Sequence, residues 1–367
     1  MHWFKSLVVL HMLVWMTLLS VGGRAQYNIW IGKSDITDPA AEVIMKRFLD
    51  LKESTAGIIN RLSARVFLIE DPDTSNRVIG VYTDQNVVLH ATHALVGPGG
   101  KAGYFLYDVS ILGYISKNVD MIVSGILNAI DKPHNSVVSG TIRWNKGEVA
   151  QGGTNRSLNA YLANPESERA KYSSSINTTM RVLQFFSSEG KLRGVLAFYP
   201  VHPISLTAAN LLISGGNKGF AEFLLEDELD NVVVGIGITN AGDVSPNLTD
   251  NGDRIFKGEG NPGIESAEIM GKRQYDTLSA LIKIDSELIE GPIVARLSYV
   301  DFSNVTLDGV QATTDDPYAD KTCPAVVGQH FAAGTEDGCG LSMFREGGTK
   351  TNKLFKAIGG IIKKIPK

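Results

Sequence analysis

Val232–Ile238 (VVVGIGI) constrains this chain more than any other stretch. It has the length of a strand and no polar residue, so neither of its faces is suited to water. A strand of that kind belongs to a sheet covered on both sides, and the chain carries helical periods to cover it. Ile115, Val119, Ile122, Ile126 and Ile130 repeat at helical spacing within Ile111–Asp131. Asn217–Leu229 predicts an amphipathic helix with Phe220, Phe223 and Leu224 on its apolar side, and Glu265–Ile284 predicts a long one. Ser173–Phe186 reads as partly helical. Strands are expected at Tyr27–Gly32, Thr141–Asn145, Val195–Tyr199, Ala295–Val300 and Val305–Leu307, with Val87–Leu89 as a short buried strand. Arg65–Glu70 and Arg77–Tyr82 flank the turn residues Asp71–Asn76, the pattern of a β-hairpin. The expected fold class is therefore α/β, with mixed sheets flanked by helices and no convincing boundary inside 27–345.

With 43% apolar and 20% charged residues, the 367-residue chain can bury a substantial core. A net charge of −4 gives no reason to expect nucleic acid as a partner. Residues 1–25 read as a secretory signal: Lys5, an apolar core from Leu7 to Val21, and the small-x-small site Gly23-Arg24-Ala25. An uncleaved anchor is the alternative, but the apolar run is short for a bilayer span and contains His11. The mature chain is thus expected to begin at Gln26 and to be secreted. In an oxidising compartment Cys323 and Cys339 can close one small loop, the alternative being two free thiols. The N-x-S/T sequons at Asn155, Asn177, Asn247 and Asn304 are glycosylation candidates consistent with secretion.

The stretch with chemical interest is Val195–Asn210 (VLAFYPVHPISLTAAN). Its apolar run is cut by Pro200 and Pro203, neither of which can donate to a strand ladder, and His202 is held between them. An imidazole fixed at a strand's end can face a cleft. On this segment alone, a satisfied polar residue is the plainer reading. His93 stands at a second such end, before the turn Gly97-Pro98-Gly99-Gly100. The chain has no H-E-x-x-H, H-x-H or Cys-x-x-Cys spacing that would by itself announce a metal. Likewise no G-x-S-x-G surrounds Ser245, so a nucleophile elbow is not indicated.

Three segments taken together, ATHALVGPGG at 91–100, PVHPISL at 200–206 and TNAGDVSPN at 239–247, resemble the active-site frame of the neutral ceramidases. These zinc amidases split ceramide into sphingosine and a fatty acid. NRSLNAYLANPESERAKYSS, LLISGGNKGFA and FAAGTEDG extend the resemblance from about Tyr27 to Arg345. It implies an α/β domain at 26–348 like the first part of the ceramidase catalytic domain, without the family's C-terminal immunoglobulin-like domain. It also implies His93 and His202 as zinc ligands, Ser245 as nucleophile or substrate contact, and Arg156 near the substrate. Pairing of Arg156 with Glu166 or Glu168 is the alternative for that side chain. The sequence departs from the family as well. Leu95 and Val96 stand where a second histidine and a serine are expected, and Gly216 replaces an aspartate. A stretch is missing between Asp84 and Asn86, and the glutamate and tyrosine ligands of the family have no counterpart here. An imidazole pair without its carboxylate is a poor zinc site, so His93 and His202 as inherited scaffold residues is the competing reading.

The tail at 349–367 is basic and amphipathic, with Leu354, Ile358, Ile361, Ile362 and Ile365 on one helical face. It suits contact with an anionic membrane surface; a packed surface helix weakened by Gly359-Gly360 is the alternative. Two functions are then in view. The first is a secreted ceramidase-like amidohydrolase with impaired activity. The second is a non-enzymatic relative that binds lipid or acts as a secreted factor, or a fragment of a longer ceramidase.

Overall fold

The structure is a computed structural model that describes residues 26–306, except 41–42, 46–53, 75, 79–85, 105–107, 109–110, 132–136, 248, 251–255 and 262, together with 321–322, 324 and 333–339. Its centre is one mixed sheet of eight strands: β1 (Tyr27–Asp35), β2 (Ser63–Glu70), β3 (Arg77–Val78), β4 (Val138–Glu148), β5 (Thr179–Ser187), β6 (Leu192–Phe198), β7 (Val233–Gly237) and β8 (Glu287–Leu288). The spatial order is β7-β6-β5-β4-β1-β2-β3, with β8 also paired to β4. Only β6 and β7 run parallel; the other pairs are antiparallel.

Side chains alternate across this sheet, and each face has its own core. On one face Met180, Val182, Val195, Ala197, Val234 and Ile236 pack under α2 (Gly216–Glu228) and α3 (Ile264–Leu281), against Ala221, Leu225, Met270 and Leu278. α1 (Ser116–Asp131) covers the far end, where Ala129 meets Trp30, Val66 and Leu68. On the other face Tyr27, Ile29, Phe67, Ile142 and Phe185 form a second core. There the sheet curls until β2 reaches β7. A methyl at Gly194 would lie 2.5 Å from Ile31 Cδ1 and 3.0 Å from Phe67 Cε1, so glycine is what admits the two side chains.

The α/β class, the strand β7 buried between two layers, and the β2–β3 hairpin through Val78 are as expected. Four local readings are corrected. Ser173–Phe186 is not helical: Thr179–Ser187 alternates, with Met180, Val182 and Gln184 on one face and Leu183 and Phe185 on the other, and it forms a central strand. Val87–Leu89 is not a buried strand, because its residues are 44, 68 and 80% exposed and unpaired in any ladder. Ala295–Val300 alternates but finds no strand edge among the described residues, and the chain beyond it forms a 3₁₀ turn at Phe302–Asn304. Val305–Leu307 reduces to one bridge between Thr306 and Lys321, with Leu307 outside the described residues. The face of α2 differs in part from the expectation: Phe220 packs against the core, but Phe223 is 58% exposed, whereas Lys218, Glu222 and Leu225 point inward. The signal at 1–25, Cys323 and the tail at 349–367 lie outside the described residues, and of Cys339 only the backbone is described. Among the described residues no helix is long and apolar enough to cross a membrane.

Candidate functional site

β6 and β7 end side by side, and the candidate site is built where they stop. Beyond Phe198 the ladder continues for one bond, from Tyr199 N–H to the Gly237 carbonyl at 3.0 Å, before Pro200 breaks it. The chain then turns to His202, which is buried. Its main-chain N–H and its ring Nδ1 both meet the carbonyl of Val244, at 3.0 and 2.9 Å. A carbonyl only accepts, so Nδ1 carries the proton and Nε2 is left with a free lone pair. Burial holds this imidazole below the ordinary histidine range; the Arg156 guanidinium and His93 push the same way, against the Val244 hydrogen bond and Asp337.

His93 reaches the same place from the other side. Its ring centroid lies 5.5 Å from that of His202, with the planes inclined by 67°. His93 has a left-handed backbone, φ 61°, uncommon for a residue other than glycine and here set by the loop that follows it. That loop is pinned along its length. Val96 O accepts from Ser214 N–H, Gly99 N–H donates to Ile44 O, and Asn118 Nδ2 donates to Gly99 O. Gly99 and Gly100 are needed because a Cβ would collide with Ile111 and Ile115. A third imidazole, His90, stands edge-on to Phe198 at 5.4 Å.

Ser245 follows Val244 in a two-residue ladder with Thr154–Asn155 and is wholly buried. Its hydroxyl donates to Asp337 Oδ2 and accepts the N–H of Asn247 at 3.1 Å. Asp337 sits on the turn of a small hairpin, Gly334–Thr335 with Gly338–Cys339, and its side chain has no exposed surface. Arg156 Nε and the Thr335 hydroxyl both donate to its other oxygen at 2.7 Å. The hairpin is fastened beside Arg156 by Glu336 N–H on the Arg156 carbonyl, 2.9 Å, and by Asn159 on Glu336 Oε1. Arg156 therefore pairs with Asp337, correcting the expectation of Glu166 or Glu168; Glu168 pairs with Lys171.

His93, His202, Ser245 and Arg156 thus converge, although they come from four separate stretches of chain. Asp337 completes them and went unremarked in the sequence. Its segment, FAAGTEDG, is family-like, but Asp-Gly in a short hairpin is ordinary turn chemistry and carries no hint of a buried acid. The sequons divide. Asn155 is buried with Nδ2 on Ser175 O and Asp243 Oδ2, and Asn247 is buried with Nδ2 on Asp337. Asn177 and Asn304 reach the surface.

A catalytic zinc is commonly held by three protein ligands. His93 and His202 offer two imidazoles of suitable chemistry, His202 with its free nitrogen fixed by the Val244 carbonyl. Among the described residues no group of three or more His, Cys, Asp or Glu gathers to hold an ion. Among the described residues, two imidazoles are one ligand short of that set.

The neutral/alkaline non-lysosomal ceramidase N-terminal model matches residues 78–367. The neutral ceramidase of Pseudomonas aeruginosa is 33% identical over 382 residues, covering 95% of this chain and 55% of that protein. Neutral ceramidase B of Dictyostelium discoideum is 32% identical, covering 93% of this chain and 55% of its own length. A solved structure of a ceramidase complexed with C2 superposes with a TM-score of 0.76 at 32% identity, over 93% of this chain and 56% of that one. This chain spans about half the length of the curated relatives it matches. On these matches, the chain belongs to the neutral/alkaline non-lysosomal ceramidase family.

Proposed function

We propose that this chain is a secreted, ceramide-directed amidohydrolase domain that binds ceramide at the His93–His202–Ser245 site and cleaves its N-acyl bond slowly. The observation that carries this is the convergence of two imidazoles, a carboxylate-oriented hydroxyl and a guanidinium at one end of the sheet. The family provides the substrate class, and the signal-like 1–25 segment supports secretion.

Amide hydrolysis joins water to the acyl carbon and releases the amine, so it needs a positioned oxygen, a proton acceptor and charge stabilisation. In our reading Asp337 Oδ2 accepts the Ser245 hydroxyl proton as a hydrogen bond and aims Ser245 Oγ at the amide carbonyl. Arg156 and Thr335 occupy the other carboxylate oxygen and prevent Asp337 from rotating away. His202, with Nδ1 committed to Val244, keeps Nε2 available to the cleft. Zinc, where bound, lowers the pKa of its water to about 7 and polarises a carbonyl. The imidazole pair alone is a weak holder of that ion, and this is our reason for proposing slow turnover.

A second reading, lipid binding without turnover, is favoured by one observation: Ser245 has no exposed surface and its hydroxyl is tied to Asp337. A labelled-ceramide binding measurement beside a turnover assay separates the two. Binding with turnover that Ser245→Ala removes supports the hydrolase; binding with no turnover supports the second reading; no binding overturns both.

A further inference from the structure

The segment that carries His202 has a hydrogen-bonding problem created by its own prolines. Pro200 and Pro203 end the ladder, yet Tyr199, Val201, His202 and Ser205 are all buried. A buried carbonyl left unpaired there would cost about 1–3 kcal/mol. The carbonyls are met by side chains from α2, which a side chain of α3 braces in turn. Lys218 Nζ, on the first turn of α2, donates to Tyr199 O at 2.9 Å. Its neighbour Asn217 donates through Nδ2 to His202 O and to Ser205 Oγ, each at 3.0 Å. Gln274, on α3, joins the two: its Nε2 donates to Asn217 Oδ1 at 3.1 Å, and its Oε1 accepts from Lys218 at 3.4 Å. Asn217, Lys218 and Gln274 have no exposed surface at all.

We propose that Asn217, Lys218 and Gln274 are positioning residues that lock the Tyr199–Ser205 segment so that His202 faces His93 in one ring orientation and one tautomer. The inference rests on the reading of His202 as a site residue. A cluster serving stability alone could satisfy any buried backbone. This one bonds the carbonyl of His202 itself and brackets it at Tyr199 and Ser205. The Asn217 carboxamide is fixed in turn, because Gln274 donates to its oxygen and so leaves its nitrogen as the donor toward His202. Lys218 also lies over the Tyr199 ring, 5.5 Å from its centroid, while the Tyr199 hydroxyl is anchored on Gly152 O at 2.8 Å. Both ends of the segment are held from the helix layer, and the third hold is the Val244 carbonyl from the opposite side.

The test is nitrogen-resolved NMR of the secreted chain labelled at histidine, with the His202 signals assigned by their loss in His202→Gln. In the unaltered chain His202 is expected as a single Nδ1–H tautomer. Gln274→Met and Asn217→Leu each remove the bond network while roughly conserving volume, and each is expected to convert His202 to a mixture of tautomers. Leu225→Ala, which opens a cavity under the same helix without touching the network, is expected to leave the tautomer unchanged. Retention of a single Nδ1–H tautomer in folded Gln274→Met overturns the proposal, as does an equal change in Leu225→Ala. Gln274→Met is the milder variant and decides the matter if Asn217→Leu does not fold. Because the readout needs no substrate, absence of ceramide turnover leaves this test intact.

Discussion

Asp337 holds two side chains at once, Ser245 through one oxygen and Arg156 through the other, and all three come from distant parts of the chain. Deleting one member of a buried ion pair strands the partner, and the usual cost is about 3–5 kcal/mol. Arg156 keeps some contact with solvent, so Asp337→Ala is expected near the lower end, about 3 kcal/mol, read from the urea midpoint. A change below about 0.5 kcal/mol, ordinary for a surface substitution, would contradict the burial described for this acid. At the imidazole pair the prediction concerns metal. Dialysed protein should hold zinc weakly and below one ion per chain, because two imidazoles fall short of a catalytic ligand set. One tightly held zinc per chain, lost in His202→Ala, would show that a further ligand joins them. His93, His202, Ser245 and Arg156 were legible because each sits in a short family-like run. The partner of Arg156 was not, since ion pairing across 181 residues depends on where a hairpin docks.

Elements were legible wherever apolar spacing was dense. α1, α3 and β7 fall close to the expected positions, and so does α2, although its buried face is only partly the expected one. Of Phe220, Phe223 and Leu224, Phe220 packs against the core and Phe223 faces solvent, while the inward side also carries Gly216, Lys218, Glu222 and Leu225. Glu222 is tolerated inside because Arg65 from β2 pairs with it at 2.9 Å and Ile236 N–H donates to it at 2.8 Å. Burial raises the Glu222 carboxyl, and that nearby arginine opposes the shift. No spacing rule anticipates a polar inward face whose partners lie on other strands. A pair of substitutions checks the assignment. Leu225→Ala should cost about 2–5 kcal/mol as a core truncation, and Phe223→Ala about 0.5 kcal/mol or less as a surface change. Equal losses in denaturant unfolding, or the reverse order, would return α2 to its sequence-based orientation. Ser173–Phe186 failed for a different reason: the polar run before Thr179 obscured the alternation that follows it.

At the scale of the whole molecule, the α/β class was readable from the apolar β7 and its neighbouring helices, but the curl of the sheet was not. That curl depends on Gly194 accepting side chains from β1 and β2, Ile31 and Phe67, a long-range fit with no local signature. It leaves the three long helices on the outer face and the strand ends of β6 and β7 beside the site. The prolines after β6 then turn His202 toward His93, and the Gly334–Cys339 hairpin brings Asp337 to Ser245. Together these place His93, His202, Ser245 and Asp337 on one side of the domain. Loss of even an outer partner of a metal ligand typically lowers activity about 10–100-fold, so a site held by His93 and His202 alone should lose at least that much. The most direct measurement is turnover of a labelled ceramide by the purified chain, run beside the Pseudomonas aeruginosa neutral ceramidase and paired with a ceramide-binding assay. The expected result is measurable ceramide binding with hydrolysis slower by at least about 10-fold, the residual activity disappearing in Ser245→Ala. Failure to bind ceramide, or turnover equal to that relative and untouched by Ser245→Ala, would contradict the account.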